Sequence, residues 1–192
     1  MRWLSLGTIV AAQLACGDSG QMAGKPAVGI KPVDPITFVF HNATSAPVFV
    51  DWSYPRPPLQ LLRDNAQIRI DPGCAPLCKD TCACLACPTP EQKVLRIGPG
   101  EELKVVWDAS HYLLRACEDA ASCSCAEPWP ATAGKYVVKL AASTGVIGGT
   151  PDTADPRVLN GAKIDPAAPT CEGTSPFQLV GAALISTPFI CP

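Results

Sequence analysis

The chain has 192 residues, and 15 Lys and Arg stand against 17 Asp and Glu for a net charge of −2. That balance leaves no basic face for nucleic acid or for anionic lipid, so neither is expected as a charge-driven partner. The 21 prolines and 15 glycines exclude a mainly helical fold, because Pro cannot continue a helix interior and both residues punctuate short strands.

Residues 1–15 read as an export signal. Met1-Arg2 supplies one positive charge, and Trp3 to Leu14 is an apolar stretch. At about twelve residues it suits a signal h-region and is too short for a membrane-spanning helix. Gln13-Leu14-Ala15-Cys16 resembles a bacterial lipobox, which implies acylation of the Cys16 sulfur and a mature N-terminus at that cysteine. Gln13 stands where that motif usually has Leu. Cleavage after Ala12, giving a secreted protein, is the alternative. Gly17 follows the cysteine where an inner-membrane retention signal would place Asp, so an anchored protein is expected at the outer membrane. Residues 16–34 are small, polar and rich in Pro and Gly, the composition of a flexible tether.

Residues 35–192 are expected to form one domain. Ile36 to Phe40 is β-branched and aromatic, and His41 to Ala46 reads as a turn. Pro47 to Ser53 alternates, with Val48, Val50 and Trp52 on one face. Leu59 to Arg63 and Gln67 to Ile70 flank Asp64-Asn65, a two-residue hairpin signal. Lys93 to Ile97 is a strand, Gly98 to Glu101 a turn, and Leu103, Val105 and Trp107 mark the inward face of the next strand. Tyr112 to Ala116, Ala133 to Leu140 and a segment near Phe177 to Ala182 complete the set, while Gly145 to Thr150 reads as a loop. Short strands at spacings of roughly ten residues predict an antiparallel immunoglobulin-like β-sandwich.

The cysteines divide as one plus ten. Beyond Cys16 they fall in three groups: Cys74, Cys78, Cys82, Cys84 and Cys87; then Cys117, Cys123 and Cys125; then Cys171 and Cys191. Ten behind an export leader read as a disulfide framework. The first group lies in a Pro-rich insert, 71–90, with too few apolar residues to order itself by collapse. Both of the first two groups hold an odd number. If Cys171 pairs with Cys191 and all are oxidised, an odd number of bridges must join those two groups. The insert is therefore expected to be stapled to a second Cys-rich loop, 117–130. Metal is the rival reading, since Cys84-x2-Cys87 with Cys74 and Cys78 has ligand-like spacing. The run lacks the two separated tight pairs of a zinc ribbon, and exported thiols oxidise first. No metal or cofactor is expected.

Ile36 to Trp52, the clustered cysteines, Ile97-Gly-Pro-Gly-Glu101, Trp107-Asp108 and Gly134-Lys-Tyr136 resemble, in that order, uncharacterised cysteine-rich lipoproteins of myxobacteria and their relatives, over about residues 16–145. The resemblance implies fold and location, since that family has no assigned activity. The same outline more distantly resembles immunoglobulin-like proteinase-inhibitor domains of bacteria.

Asp108, Ser110 and His111 invite comparison with catalytic groups, but three residues in one turn usually point apart, and the expectation is a polar turn. No nucleophile elbow, zinc-protease motif or phosphate loop is present. The expected function is a non-enzymatic envelope lipoprotein that acts as a structural or partner-binding module through its Cys-rich end. The alternative is a proteinase-inhibitor-like domain acting through the same rigid loop. Trp52 to Pro58 and Trp129 read as core aromatics or as recognition surface.

Overall fold

The computed structural model describes residues 34–53, 58–78, 89–117, 120–181 and 183–192, and every element among them is a strand. The expected leader, Cys16 and residues 17–33 of the expected tether lie outside the described residues, as do Cys82, Cys84 and Cys87. The architecture is all-β and sandwich-like.

One layer is a three-stranded sheet. Its centre is β1 (Ile36–His41), which pairs antiparallel with β6 (Glu102–Trp107) and parallel with the last strand, β15 (Ala183–Pro188). The alternation read for β6 holds, with Leu103 and Trp107 buried and Glu102, Lys104 and Val106 outside. His41, expected in a turn, instead ends β1, where its carbonyl accepts a bond from Phe189 N.

The second layer is organised around β9 (Gly134–Ser143). One edge of β9 carries β14 (Thr170–Leu179) along its whole length. Its other edge carries β3 (Leu59–Arg63) at Tyr136–Leu140 and β2 (Val48–Asp51) at Ser143, so β2 and β3 follow one another along the same line. Outside them lie β4 (Ala66–Ile68) beside β3, and β5 (Lys93–Ile97) beside β2. Asp64 and Asn65 join β3 to β4 with φ of 51° and 65°, the paired positive values of a primed hairpin turn.

The segment read as a Gly-rich loop contains short strands. β10 (Val146–Ile147) pairs with β13 (Lys163–Ile164), and β11 (Thr150–Pro151) pairs with β12 (Val158–Asn160), which extends the sheet from β5. This segment covers the outer face of β2, where Phe49, Val94 and Ala162 form a small second core. Phe49 therefore lies buried on the face opposite Val48 and Val50.

Four rings join the layers. Phe38 of β1 meets Phe177 of β14 edge-on at 5.4 Å, Tyr136 of β9 stacks on Phe177 at 5.6 Å, and Trp107 of β6 closes on Tyr136 at 5.9 Å. Such pairs are worth about 0.5–1.5 kcal/mol each beyond their buried area. The Tyr136 hydroxyl donates to Thr132 O at 2.8 Å, the arrangement of the tyrosine corner in immunoglobulin-like sandwiches. Further along, Phe40 stacks on Phe189, and Gly173 permits it: a Cβ there would sit 2.7 Å from the Phe40 ring.

Candidate functional site

β7 (Ser110–Cys117) and β8 (Ala120–Pro130) form a separate antiparallel hairpin beside the two layers. This corrects the expectation of a loop over 117–130. The strand signal was hidden because the segment is built of Ala, Ser, Cys and Pro rather than β-branched residues. The hairpin's base is set in the main core. Ala131 N donates to Ala109 O at 2.7 Å, both alanines are buried, and the Trp107 indole donates to Ser110 O at 2.7 Å.

The segment 69–78 then takes hold of both outer edges of the hairpin. Tyr112 N, on the outer edge of β7, donates to Arg69 O at 2.8 Å. On the outer edge of β8, Ala126 N donates to Pro76 O at 2.8 Å, and Cys78 N donates to Ala126 O at 3.1 Å. Backbone N–H groups alternate in direction along a strand, so Pro128 and Pro130 also turn their nitrogens away from β7, where no ladder bond is lost. A disulfide between Cys78 and Cys125, 47 residues apart, fixes this docking covalently. It joins the first cysteine group to the second.

Cys171 pairs with Cys191, and a reciprocal pair of 3.0 Å backbone bonds between Glu172 and Ile190 ties the C-terminus to β14. Cys74, Cys117 and Cys123 are disulfide-bonded as well. Among the described residues, no group of His, Cys, Asp or Glu is arranged to hold a metal ion. Among them too, no helix is long and apolar enough to cross a membrane.

On one face of β7, His111, Leu113 and Arg115 stand in a row, and Leu114 is on the other face. His111 lies opposite Trp129, and Arg115 forms an ion pair with Glu127. The Trp129 indole N–H, directed toward Glu127, and the Arg115 guanidinium together hold the Glu127 carboxyl below its usual range. The buried Trp129 Nε1 nevertheless stops short of full hydrogen-bond geometry with any acceptor. Burial, and then the charge of Arg63, push His111 below its ordinary value, so its imidazole favours the neutral form. Leu113 and Leu114, at 46 % and 48 % exposed, stand in the middle of β7.

Asp108, Ser110 and His111 are not assembled as an acid–base chain. The Asp108 carboxylate accepts from Ser110 N at 2.9 Å and so caps its own turn, where Ala109 has φ of 58°. Sequence reasoning overlooked Asn42, which is fully buried. Its Nδ2 donates to Ala46 O and Ile97 O, and its Oδ1 accepts from the backbone and hydroxyl of Thr44. Both of its backbone groups bond the 98–101 turn as well, so Asn42 is the polar centre that joins β1 to β5.

Two clefts lie elsewhere. One of about 520 Å³ separates β6 from β5 and β12, with half-buried Trp52 against Lys104, Asp155 and Arg157. The other, about 370 Å³, sits beside the Asp64-Asn65 turn and is lined by Leu62, Lys135, Pro176 and Gln178.

No family model, curated protein or solved structure matches the chain.

Proposed function

We propose that this chain is a non-enzymatic lipoprotein of the cell envelope, anchored through Cys16, whose β7–β8 hairpin is a rigid partner-binding module. The observation that carries the reading is the way segment 69–78 grips both edges of the hairpin and is bonded to it through Cys78–Cys125. A hairpin held in this way loses little conformational freedom on docking, which is the usual advantage of a preorganised surface. Leu113 supplies apolar contact on the face that it shares with Arg115 and Glu127, whose ion pair supplies a polar rim, and Leu114 is exposed on the opposite face. Disulfides persist in oxidising compartments, which supports export from the cytoplasm. The lipobox-like Gln13-Leu14-Ala15-Cys16 and the resemblance to myxobacterial lipoproteins support the anchor and the outer-membrane location.

The test is cross-linking in whole cells that carry either the native chain or the double variant Leu113→Ser/Leu114→Ser. A partner joined to the native hairpin should disappear from the variant while its folding and export are unchanged. Equal recovery from both would remove the binding role.

A further inference from the structure

Four of the most exposed large apolar side chains are Val180, Ile190, Leu184 and Val106, at 81, 73, 69 and 66 %. Three of them gather at one end of the sandwich. Leu184 and Val106 lie directly opposite Thr37 from its two sides, so they form a row across the outer face of the three-stranded sheet. Val180 sits in the turn after β14, and β15 begins at Ala183, opposite Ile36. Ile190 stands alone at the far end, paired with Glu172.

The outer face is graded along its strands. Next after the apolar row come Lys104 and Ser186 flanking Val39, then Glu102 and Pro188 flanking His41. Lys104 and Glu102 are ion-paired on this polar half. The apolar end is also the end at which the chain enters the domain, because Asp34 and Pro35 lead directly into β1.

We infer that this end of the sandwich rests on the lipid surface, with Val106, Val180 and Leu184 entering the headgroup layer. The inference depends on the proposed anchor at Cys16. Residues 17–33 separate that cysteine from Asp34, so covalent geometry alone holds Asp34 within about 60 Å of the anchored sulfur. A link that short gives its two ends an effective concentration of about a millimolar, so a weak apolar contact suffices. Asp34, Asp64 and Asp108 near this end are largely offset by Arg63 and Lys135 beside the Leu179–Val180 turn, so the contact is apolar and nearly insensitive to salt.

Hydrogen exchange on the acylated full chain in phosphatidylethanolamine-rich nanodiscs tests this against the unanchored Cys16→Ala chain in solution. The expected result is exchange slowed at least about tenfold over residues 104–108 and 178–186 in the nanodisc. The slowing should vanish in Val106→Ser/Val180→Ser/Leu184→Ser and persist in Ile190→Ser, which serves as the control. Unchanged exchange in a chain whose mass shows the acyl group overturns the orientation and leaves the anchor standing. A chain without acyl mass overturns both. Protection that grows with protein concentration in the Cys16→Ala chain assigns the patch to self-association and also overturns the inference.

Discussion

Asn42 illustrates how a buried polar side chain can specify a turn. Four side-chain hydrogen bonds satisfy it completely, and one of them reaches the Ile97 carbonyl. Removing the amide strands those partners, at about 1–3 kcal/mol for each group left buried and unsatisfied. Asn42→Ala should therefore lower the unfolding free energy by about 2–3 kcal/mol, measured by urea denaturation with disulfides intact. A loss within experimental error would mean that water replaces the amide. From sequence the residue was legible only as part of a turn, since nothing near it announces a contact 55 residues away. The Asp64-Asn65 turn was legible because its requirement is local: both residues tolerate the positive φ that they adopt. His111 offers a pH test. Its folded value lies below the ordinary 6.5, so the unfolded chain takes up the proton first. Stability from this group is complete above about pH 6.5 and declines as pH falls through the lowered folded value. The carboxylates whose values are also lowered, Glu91, Glu127, Asp152, Asp155 and Glu172, act in a separate window that begins lower, near 4.5 for Glu and 3.8 for Asp. His111→Gln should flatten the unfolding free energy just below pH 6.5, ahead of the carboxylate window, and an unchanged slope there would contradict the assignment.

At the scale of elements, proline placement explains both what was read and what was missed. Pro128 and Pro130 in β8, Pro151 in β11, Pro176 in β14 and Pro188 in β15 all lie in strands at a sheet edge. An edge strand leaves alternate nitrogens outside the ladder, so Pro removes no bond there. In the sequence the same residues look like breaks. That is why β8 read as a loop, why β14 was seen only from Phe177 onward, and why 145–151 showed no strand at all. Lys93–Ile97 and Leu59–Arg63 were legible because these central strands carry apolar runs uninterrupted by Pro or Gly. β7 and β8 bury little of that kind, and their order depends on segment 69–78 and on sulfur. The Cys78–Cys125 bridge, closing 47 residues, is worth about 4 kcal/mol in the chain-entropy account. Cys78→Ser/Cys125→Ser should cost up to about that much in calorimetry and should speed exchange at the Ala126 amide. Unaltered protection at Ala126 would show that backbone bonds alone hold the clamp.

At the scale of the molecule, two kinds of cohesion are combined. The sandwich holds itself together through Phe38, Trp107, Tyr136, Phe177 and the aliphatic residues around them. Among the described residues the Cys-rich flank has no comparable core, and its two segments are bonded to each other covalently, as disulfides of oxidising compartments are. The odd membership of the two cysteine groups pointed to a bridge between them without naming it, because connectivity depends on which strand edges meet in space. Intact mass spectrometry of the protein purified from membranes, alkylated before and after reduction, tests this account most directly. The predicted spectrum shows an acyl group on a chain beginning at Cys16 and no alkylation at Cys74, Cys78, Cys117, Cys123, Cys125, Cys171 or Cys191 until the sample is reduced. Alkylation of those cysteines in native material, or zinc released from them, would contradict it.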